Sequence, residues 1–468
     1  MLTHLQIKNF KAWQDTGLME LKPLTVIFGA NSSGKSSLGH WLLALKQTAL
    51  HSDRKRALHL GDERTPVDLG VYKDCVYGHD LELNLEFTLG WLMPEPFKAV
   101  NALNHKEVYQ GKQRELSAKL HSDESLQPKI KEFSYQLRDG DGQESLFVRH
   151  GCNDNKDYVV ESRPLKLVQR QTWGWGAEAP EKFYRFSDRT LSRFKNADFL
   201  AEFALETERV LENIYYLGPL RNHPRRIYSW SGDMPPDVGA QGENAIQALL
   251  AATASKRELR IKGRQFRNFD AFIAAWLKDL GVINAFSVRP VAEGRKEYEV
   301  LIQTHPGLPQ VKLTDVGFGV SQVLPVLVQA FYAPANSVVW MEQPEMHLHP
   351  SVQASLADVF ISAVQSYERN FSSKGTVKRN VQLIIESHSE HFLNRLQLRV
   401  AKGEIDHSDV AVYFVHRDQQ GAQLTPLRLN MFGEIENWPE NFFGDEMGDI
   451  AERVLAGIES KKAMERSE

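Results

Sequence analysis

The stretch Gly29-Ala30-Asn31-Ser32-Ser33-Gly34-Lys35-Ser36 restricts the fold more sharply than any other part of the chain. It matches G-x-x-x-x-G-K-S, a spacing that cradles phosphate. It follows the β-rich run Leu24-Thr25-Val26-Ile27-Phe28 and precedes the helix-like SLGHWLLALK, so a buried strand, a glycine turn and a helix N-terminus are expected in succession. The glycines let successive N–H groups face an anion, and the helix dipole favours negative charge at the same place. Lys35 is then expected to reach the β- and γ-phosphates and the Ser36 hydroxyl to ligate Mg²⁺, with Asn31, Ser32, Ser33 and Ser37 completing the cradle. A chance match in a chain of 468 residues has a probability on the order of a few per cent.

Three further stretches carry chemistry. In "MEQPEMHLHP", residues 341–350, an apolar strand from Ser337 to Met341 delivers an acid at its end, which makes Glu342 the expected carboxylate on the magnesium side. His347 and His349 lack a third ligand at a recognisable spacing, so zinc is the weaker reading. In "LTDVGFGVSQ", residues 313–322, Gly317 and Gly319 precede a helix that Ser321 is expected to cap, with Pro325 near its first turn. In "IIESHSEH", residues 384–391, Ser387 and Glu390 have capping-box spacing. That spacing puts His388 at a strand-to-helix junction, within reach of a phosphate or a catalytic water. Strand signals at Val381–Ile385 and Val410–Val415, separated by helical stretches, predict an α/β layer with at least partly parallel strands.

The length allows one large core with a sizeable insertion, or two to three cores. Apolar residues at 42% and charged residues at 25% match an ordinary globular protein. No apolar run approaches the ~18 residues of a bilayer span, and Lys8 and Lys11 interrupt the N-terminus before a signal-like stretch forms, so a cytoplasmic protein without membrane contact is expected. Cys75 and Cys152 are too few for a disulfide framework or a four-cysteine zinc site. The organisation expected is an N-terminal phosphate-loop segment (1–90), an inserted region of mixed structure (91–215) and a second part of the insertion with a basic helical segment (216–310). A C-terminal part of the nucleotide head (311–430) and an acidic, aromatic tail (431–468) complete it.

With 56 basic and 60 acidic residues, any contact with nucleic acid needs a local patch. Lys256, Arg257, Arg260, Lys262, Arg264 and Arg267 recur closely enough to supply one, although a solvated helix explains them equally well. Arg221, Arg225 and Arg226 form a second basic cluster, either structural or facing nucleotide. The acids Glu434, Glu436, Glu440, Asp445, Glu446 and Asp449 show no fixed ligand spacing and are expected to form a solvated edge.

Phosphate loop, glycine-rich stretch, acidic strand end and strand-end histidine, in this order, resemble the heads of ABC-type ATPases of the SMC, RecF and OLD group. The blocks "YLGPLRNHPRR", "DVGFGVSQVLPVLVQ", "EQPEMHLHP", "ESHSEHFLNRLQLRVAKGEI" and "NWPENFF" look like bacterial AAA-15/AAA-21 type ATPases often encoded in phage-defence loci. The resemblance implies an ABC-ATPase head with a mixed or parallel core sheet, split by a large α+β insertion between Ser37 and Val316, that uses ATP and Mg²⁺. It also implies composite sites, in which Gly317, Gly319 and Ser321 of one subunit close over ATP held by another, hence a homodimer or larger homo-oligomer.

Three departures from the family pattern stand out. GFGVSQ lacks the serine-glycine-glycine order of the LSGGQ signature. No glutamine lies between Gln47 and Gln110 to mark a Q-loop, for which Asp68 is the stand-in. Aligning "EQP" with the usual "DEP" puts Gln343 where the catalytic carboxylate belongs, and a carboxamide cannot take a proton from water. Either Glu345 serves as the base, or hydrolysis is slow and the protein is an ATP-held clamp. By resemblance, the output is control of a separately encoded nuclease or toxin in defence against phage. The alternative is a RecF- or SMC-like ATPase of DNA repair, and a transporter motor ranks last.

Overall fold

The computed structural model describes residues 1–153, 157–170, 176–370, 375–419, 421–439, 453 and 456. Its centre is a six-stranded sheet in the order Ile214–Leu217, Val338–Glu342, Gln382–Glu386, Leu24–Gly29, Val410–Asp418, Gly421–Leu427. The first five strands run parallel and the last turns back antiparallel. A parallel strand covered on both faces must be apolar throughout, which explains why VVWME and QLIIE are buried at every residue despite their terminal acids. Side chains alternate between faces: Val338 and Trp340 join one core, Val339 and Met341 the other.

Both cores position the glycine loop and the acid-ended strands. Helix Lys35–Leu50 packs on the Trp340 face so closely that a Cβ at Gly39 would lie 2.4 Å from the Trp340 ring. Helices Phe318–Tyr332, Pro350–Val364 and Glu390–Ala401 supply the opposite core. All five parallel strands therefore point their C-terminal ends toward one edge, where loops open and backbone groups are free to meet a ligand.

A second, eight-stranded sheet is antiparallel. Its long strands Leu85–Val100, Val108–Ser122, Pro128–Arg138 and Glu144–Cys152 alternate buried and half-exposed residues, so one face packs and the other meets solvent. The opening strand Leu2–Phe10 belongs to this sheet and pairs with Leu85–Val100. The boundary expected at residue 90 therefore falls inside a strand, and the one at 215 falls inside Ile214–Leu217. The region expected to be of mixed structure begins as a regular sheet, whose polar alternate positions hid it in the sequence.

The basic segment is not helical. It forms the hairpin Glu258–Arg260 with Arg267–Asn268, extended by Tyr367–Asn370 and Gly375–Lys378 into a small sheet. Among the described residues, no helix is long and apolar enough to cross a membrane. Most of the 431–468 tail, including Glu440, Asp445, Glu446 and Asp449, and the first part of QTWGWGAEAP lie outside the described residues.

Candidate active site

Glycine is required at both ends of the phosphate loop. Gly29 (φ 149°) and Gly34 (φ 112°) occupy backbone conformations that other residues rarely adopt, and a Cβ at Gly29 would lie 2.2 Å from the Val415 carbonyl oxygen. Helix Lys35–Leu50 starts with no side-chain cap and no acid in its first turn, so its leading N–H groups stay available to an anion. Asn31 and Ser32 are exposed on the loop, and Ser33 is buried. Lys35 folds back on the loop and donates from Nζ to Gly29 O (3.0 Å) and Ala30 O (2.7 Å). Burial lowers its pKa, opposed by Glu386, Glu345 and Glu342. Ser37, expected in the cradle, serves the fold instead: its hydroxyl binds Gly34 O and accepts from the Trp13 indole (2.8 Å).

Two glutamates end neighbouring parallel strands in direct register, Glu342 and Glu386. Glu342 accepts a hydrogen bond from the Tyr216 hydroxyl (3.0 Å) and faces His40 Nε2 at 3.4 Å. Glu386, 2% exposed, lies on the strand between Glu342 and the phosphate loop. Its Oε1 accepts from Ser36 Oγ (3.0 Å) and lies 3.9 Å from Lys35 Nζ, while Oε2 is buried without a hydrogen-bond partner among the described residues. Burial, then Glu342, push its pKa up to about 7 against the pull of Lys35 and Ser36. Sequence reasoning passed over Glu386, although an acid closing an apolar strand is the pattern that singled out Glu342.

Gln343 follows in a left-handed conformation (φ 43°), with its N–H on Glu386 O (2.8 Å). Arg221 clamps this corner, donating from Nη2 to Glu342 O (3.3 Å) and Gln343 O (3.2 Å). That contact places Arg221 on the acidic loop, whereas Arg226 pairs with Asp315 at 2.9 Å. Glu345 is buried, and its Oε1 accepts the N–H of His388 (2.7 Å). Burial raises its pKa, opposed by the hydrogen bonds from His388 and Ser387 and by Arg221. His388 has Nε2 buried without a partner among the described residues, and burial with nearby Lys35 lowers its pKa to about 4, which keeps the ring neutral near pH 7.

Several expected caps move. Ser387 continues the strand, its N–H bonding Ile27 O, so the cap of helix Glu390–Ala401 passes to Ser389, which accepts from Phe392 N (3.2 Å). Gly317, not Ser321, is the N-cap of Phe318–Tyr332; Ser321 is buried in the first turn with its hydroxyl on Phe318 O, and Pro325 lies inside the helix. Gly317 is exposed and Gly319 half-buried, with the Phe318 ring 5.5 Å from both His223 and His347. His349 caps helix Pro350–Val364 rather than facing a metal. Asp68 is exposed and turns onto the N–H of Gly70.

The hard oxygens of Ser36, Glu386 and Glu342 suit magnesium. Among the described residues no three His, Cys, Asp or Glu side chains gather into a metal cage, but magnesium that arrives with phosphates needs only one or two protein ligands. The basic cluster divides: Arg257 is committed to Glu368 (2.7 Å) and Tyr332 O, and Arg260 stacks on Phe266 and Tyr367. Arg264 faces Asp279 at 3.8 Å, and Lys256, Lys262, Arg264 and Arg267 are exposed.

Residues 245–393 match the AAA ATPase domain family AAA_15, and residues 405–452 match a protein family of unknown function, DUF3696. No curated protein matches. Solved structures similar to this chain include an Smc head bound to the C-winged helix domain of ScpA, at 11% identity and TM-score 0.42, covering 92% of this chain and 98% of that one. Others are the SMC head domain from Thermotoga maritima (12%, TM-score 0.40, 91% and 99%) and an Smc head with an extended coiled coil bound to the C-terminal domain of ScpA, derived from Pyrococcus furiosus (10%, TM-score 0.39, 98% and 99%). The AAA_15 match spans Gly317, Glu342, Glu386 and His388, and the parallel sheet joins the strands of Glu342 and Glu386 to the phosphate-loop strand that lies outside it. Residues 245–393 thus carry an AAA-type ATPase domain.

Proposed function

We propose that the protein is an ATP-binding, slowly hydrolysing switch whose heads pair through composite nucleotide sites. The observation that supports it best is the corner where Lys35 and Ser36 meet the buried acids while Gln343 holds the position next to Glu342. Lys35 would leave the Gly29 and Ala30 carbonyls for phosphate oxygens, and the uncapped helix N-terminus would bind the same group. Ser36 and Glu342 would hold magnesium, which supplies charge neutralisation to the phosphates when bound. Gln343 can orient water but not deprotonate it. Glu345 is buried with its Oε1 held by the His388 N–H, which favours a fixed support over a base and hence slow turnover. Neutral His388 can accept or donate a hydrogen bond beside the γ-phosphate. The exposure of Gly317 supports its meeting nucleotide on a second chain.

Single-turnover hydrolysis by wild type, Glu342→Gln and Glu345→Gln tests this reading. Slow wild-type turnover, abolished in Glu342→Gln, is expected; turnover at ordinary enzyme rates, on the order of 10 s⁻¹, would sink the clamp. We further propose a cytoplasmic sensor or scaffold controlling a separately encoded effector against phage, supported by the family-like blocks of the sequence. Co-purification with a nuclease or toxin from the native host is the expected outcome, and its absence during phage infection counts against the role. The exposed Lys256, Lys262, Arg264 and Arg267 favour a second reading, a DNA-repair ATPase. It requires ATP-dependent, salt-sensitive binding to double-stranded DNA in a filter assay.

A further inference from the structure

We propose that Glu386 is a metal-site carboxylate, binding with Ser36 the divalent cation that enters with a nucleoside triphosphate; this rests on the ATPase reading above. Strand order comes first. The Glu386 strand adjoins the phosphate-loop strand, whereas the Glu342 strand lies one place further out, about 4.8 Å away in the hydrogen-bonding direction. Contacts agree with this order. Ser36 Oγ donates directly to Glu386 Oε1 at 3.0 Å, while Glu342 Oε1 is occupied by Tyr216 and faces His40.

A plain structural role, neutralising Lys35, fits less well. Lys35 Nζ is 3.9 Å from Glu386, beyond hydrogen-bond distance, and spends its donors on the Gly29 and Ala30 carbonyls. Glu386 Oε2 is buried with no partner among the described residues, a costly arrangement unless a cation or another donor satisfies it. Two carboxylates and a hydroxyl at the end of a phosphate loop form a hard-oxygen set that selects magnesium over softer ions. Glu386 would also supply the protein oxygen for which the sequence has no Q-loop glutamine, Asp68 being turned onto Gly70.

The test is equilibrium binding of a fluorescent, non-hydrolysable ATP analogue to the full chain, with Mg²⁺ or with EDTA. Wild type is expected to bind more tightly with Mg²⁺. Glu386→Gln should lose about 10- to 100-fold of that enhancement, with affinity in EDTA unchanged or tighter and the unfolding transition kept. A Mg²⁺ enhancement equal to wild type in Glu386→Gln overturns the proposal. Should Glu386→Gln fail to fold, Glu386→Asp carries the test: a diminished Mg²⁺ enhancement supports the proposal and an undiminished one overturns it. No analogue binding by wild type in either condition overturns the ATPase reading, and this inference with it.

Discussion

Arg114 and Arg221 are both buried arginines with nitrogens that lack partners among the described residues, yet they sit in different sheets and do different work. Burial lowers the pKa of each to about 10. Arg114, in the antiparallel sheet, is packed against the rings of Phe97 (4.4 Å) and Phe203 (4.3 Å), with one hydrogen bond to Phe203 O. Arg221, at the edge of the parallel sheet, holds the carbonyls of Glu342 and Gln343 and feels the charge of Glu345. Burial alone therefore does not mark function. What the guanidinium touches decides whether it is packing material or a clamp on the backbone of the acidic loop.

The largest expected effect on nucleotide affinity lies at the parallel sheet. Lys35→Ala should weaken ATP binding about 10- to 100-fold, the loss of roughly 1.5–3 kcal/mol of charge-assisted hydrogen bonding. Nucleotide titration by calorimetry checks this; unchanged affinity would remove Lys35 from the site. Arg221→Met should cost about 1–3 kcal/mol by leaving the buried Glu342 carbonyl and the half-buried Gln343 carbonyl without this donor, and should slow hydrolysis as Gln343 relaxes. Arg114→Met should stay within about 2 kcal/mol of wild type in either direction, with ATPase rate unchanged. Equal losses in denaturant titrations of the two variants would break the comparison.

Acid stability probes the antiparallel sheet through the difference between wild type and a His150 variant, because His388 titrates in the same window. His150 is fully buried, donates from Nε2 to Glu178 O, and has its pKa lowered by burial from 6.5 to about 4. Between those values the unfolded chain binds the extra proton. The stabilising contribution is whole above pH 6.5 and is lost as pH falls through that window, by up to about 3 kcal/mol. His150→Gln should flatten this part of the stability profile, and an unchanged acid limb would show that other groups control it. The smallest effect is expected for Glu345→Gln: a carboxamide oxygen still accepts from His388 N–H, so single-turnover hydrolysis should fall less than about 10-fold, below 1.4 kcal/mol. A collapse of turnover with normal nucleotide affinity would instead identify Glu345 as the base.

The phosphate loop, the acid-terminated strand and the strand-end histidine were legible because each is local: a few neighbouring residues set backbone conformation, burial and chemistry together. Ser387 shows the limit of local signals, since its capping-box spacing lost to pairing with Ile27, a partner far away in sequence. The antiparallel sheet was obscured for a related reason. Its strands are apolar only at alternate residues, and their pairing with Leu2–Phe10 joins segments that no short window contains.

By itself the sequence determined that a strand, a glycine turn and a helix would follow one another with Lys35 and Ser36 at the helix start, and that a carboxamide, Gln343, would follow the acid that closes the Val338–Glu342 strand. Tertiary structure alone decided which acid meets Ser36, which arginine holds the acidic loop, and that Ser37 and Arg257 serve the fold. The physical reason is that backbone conformation and strand burial are largely short-range. A hydrogen bond such as Ser36 to Glu386, by contrast, exists only after strand order places residues 350 positions apart at the same edge.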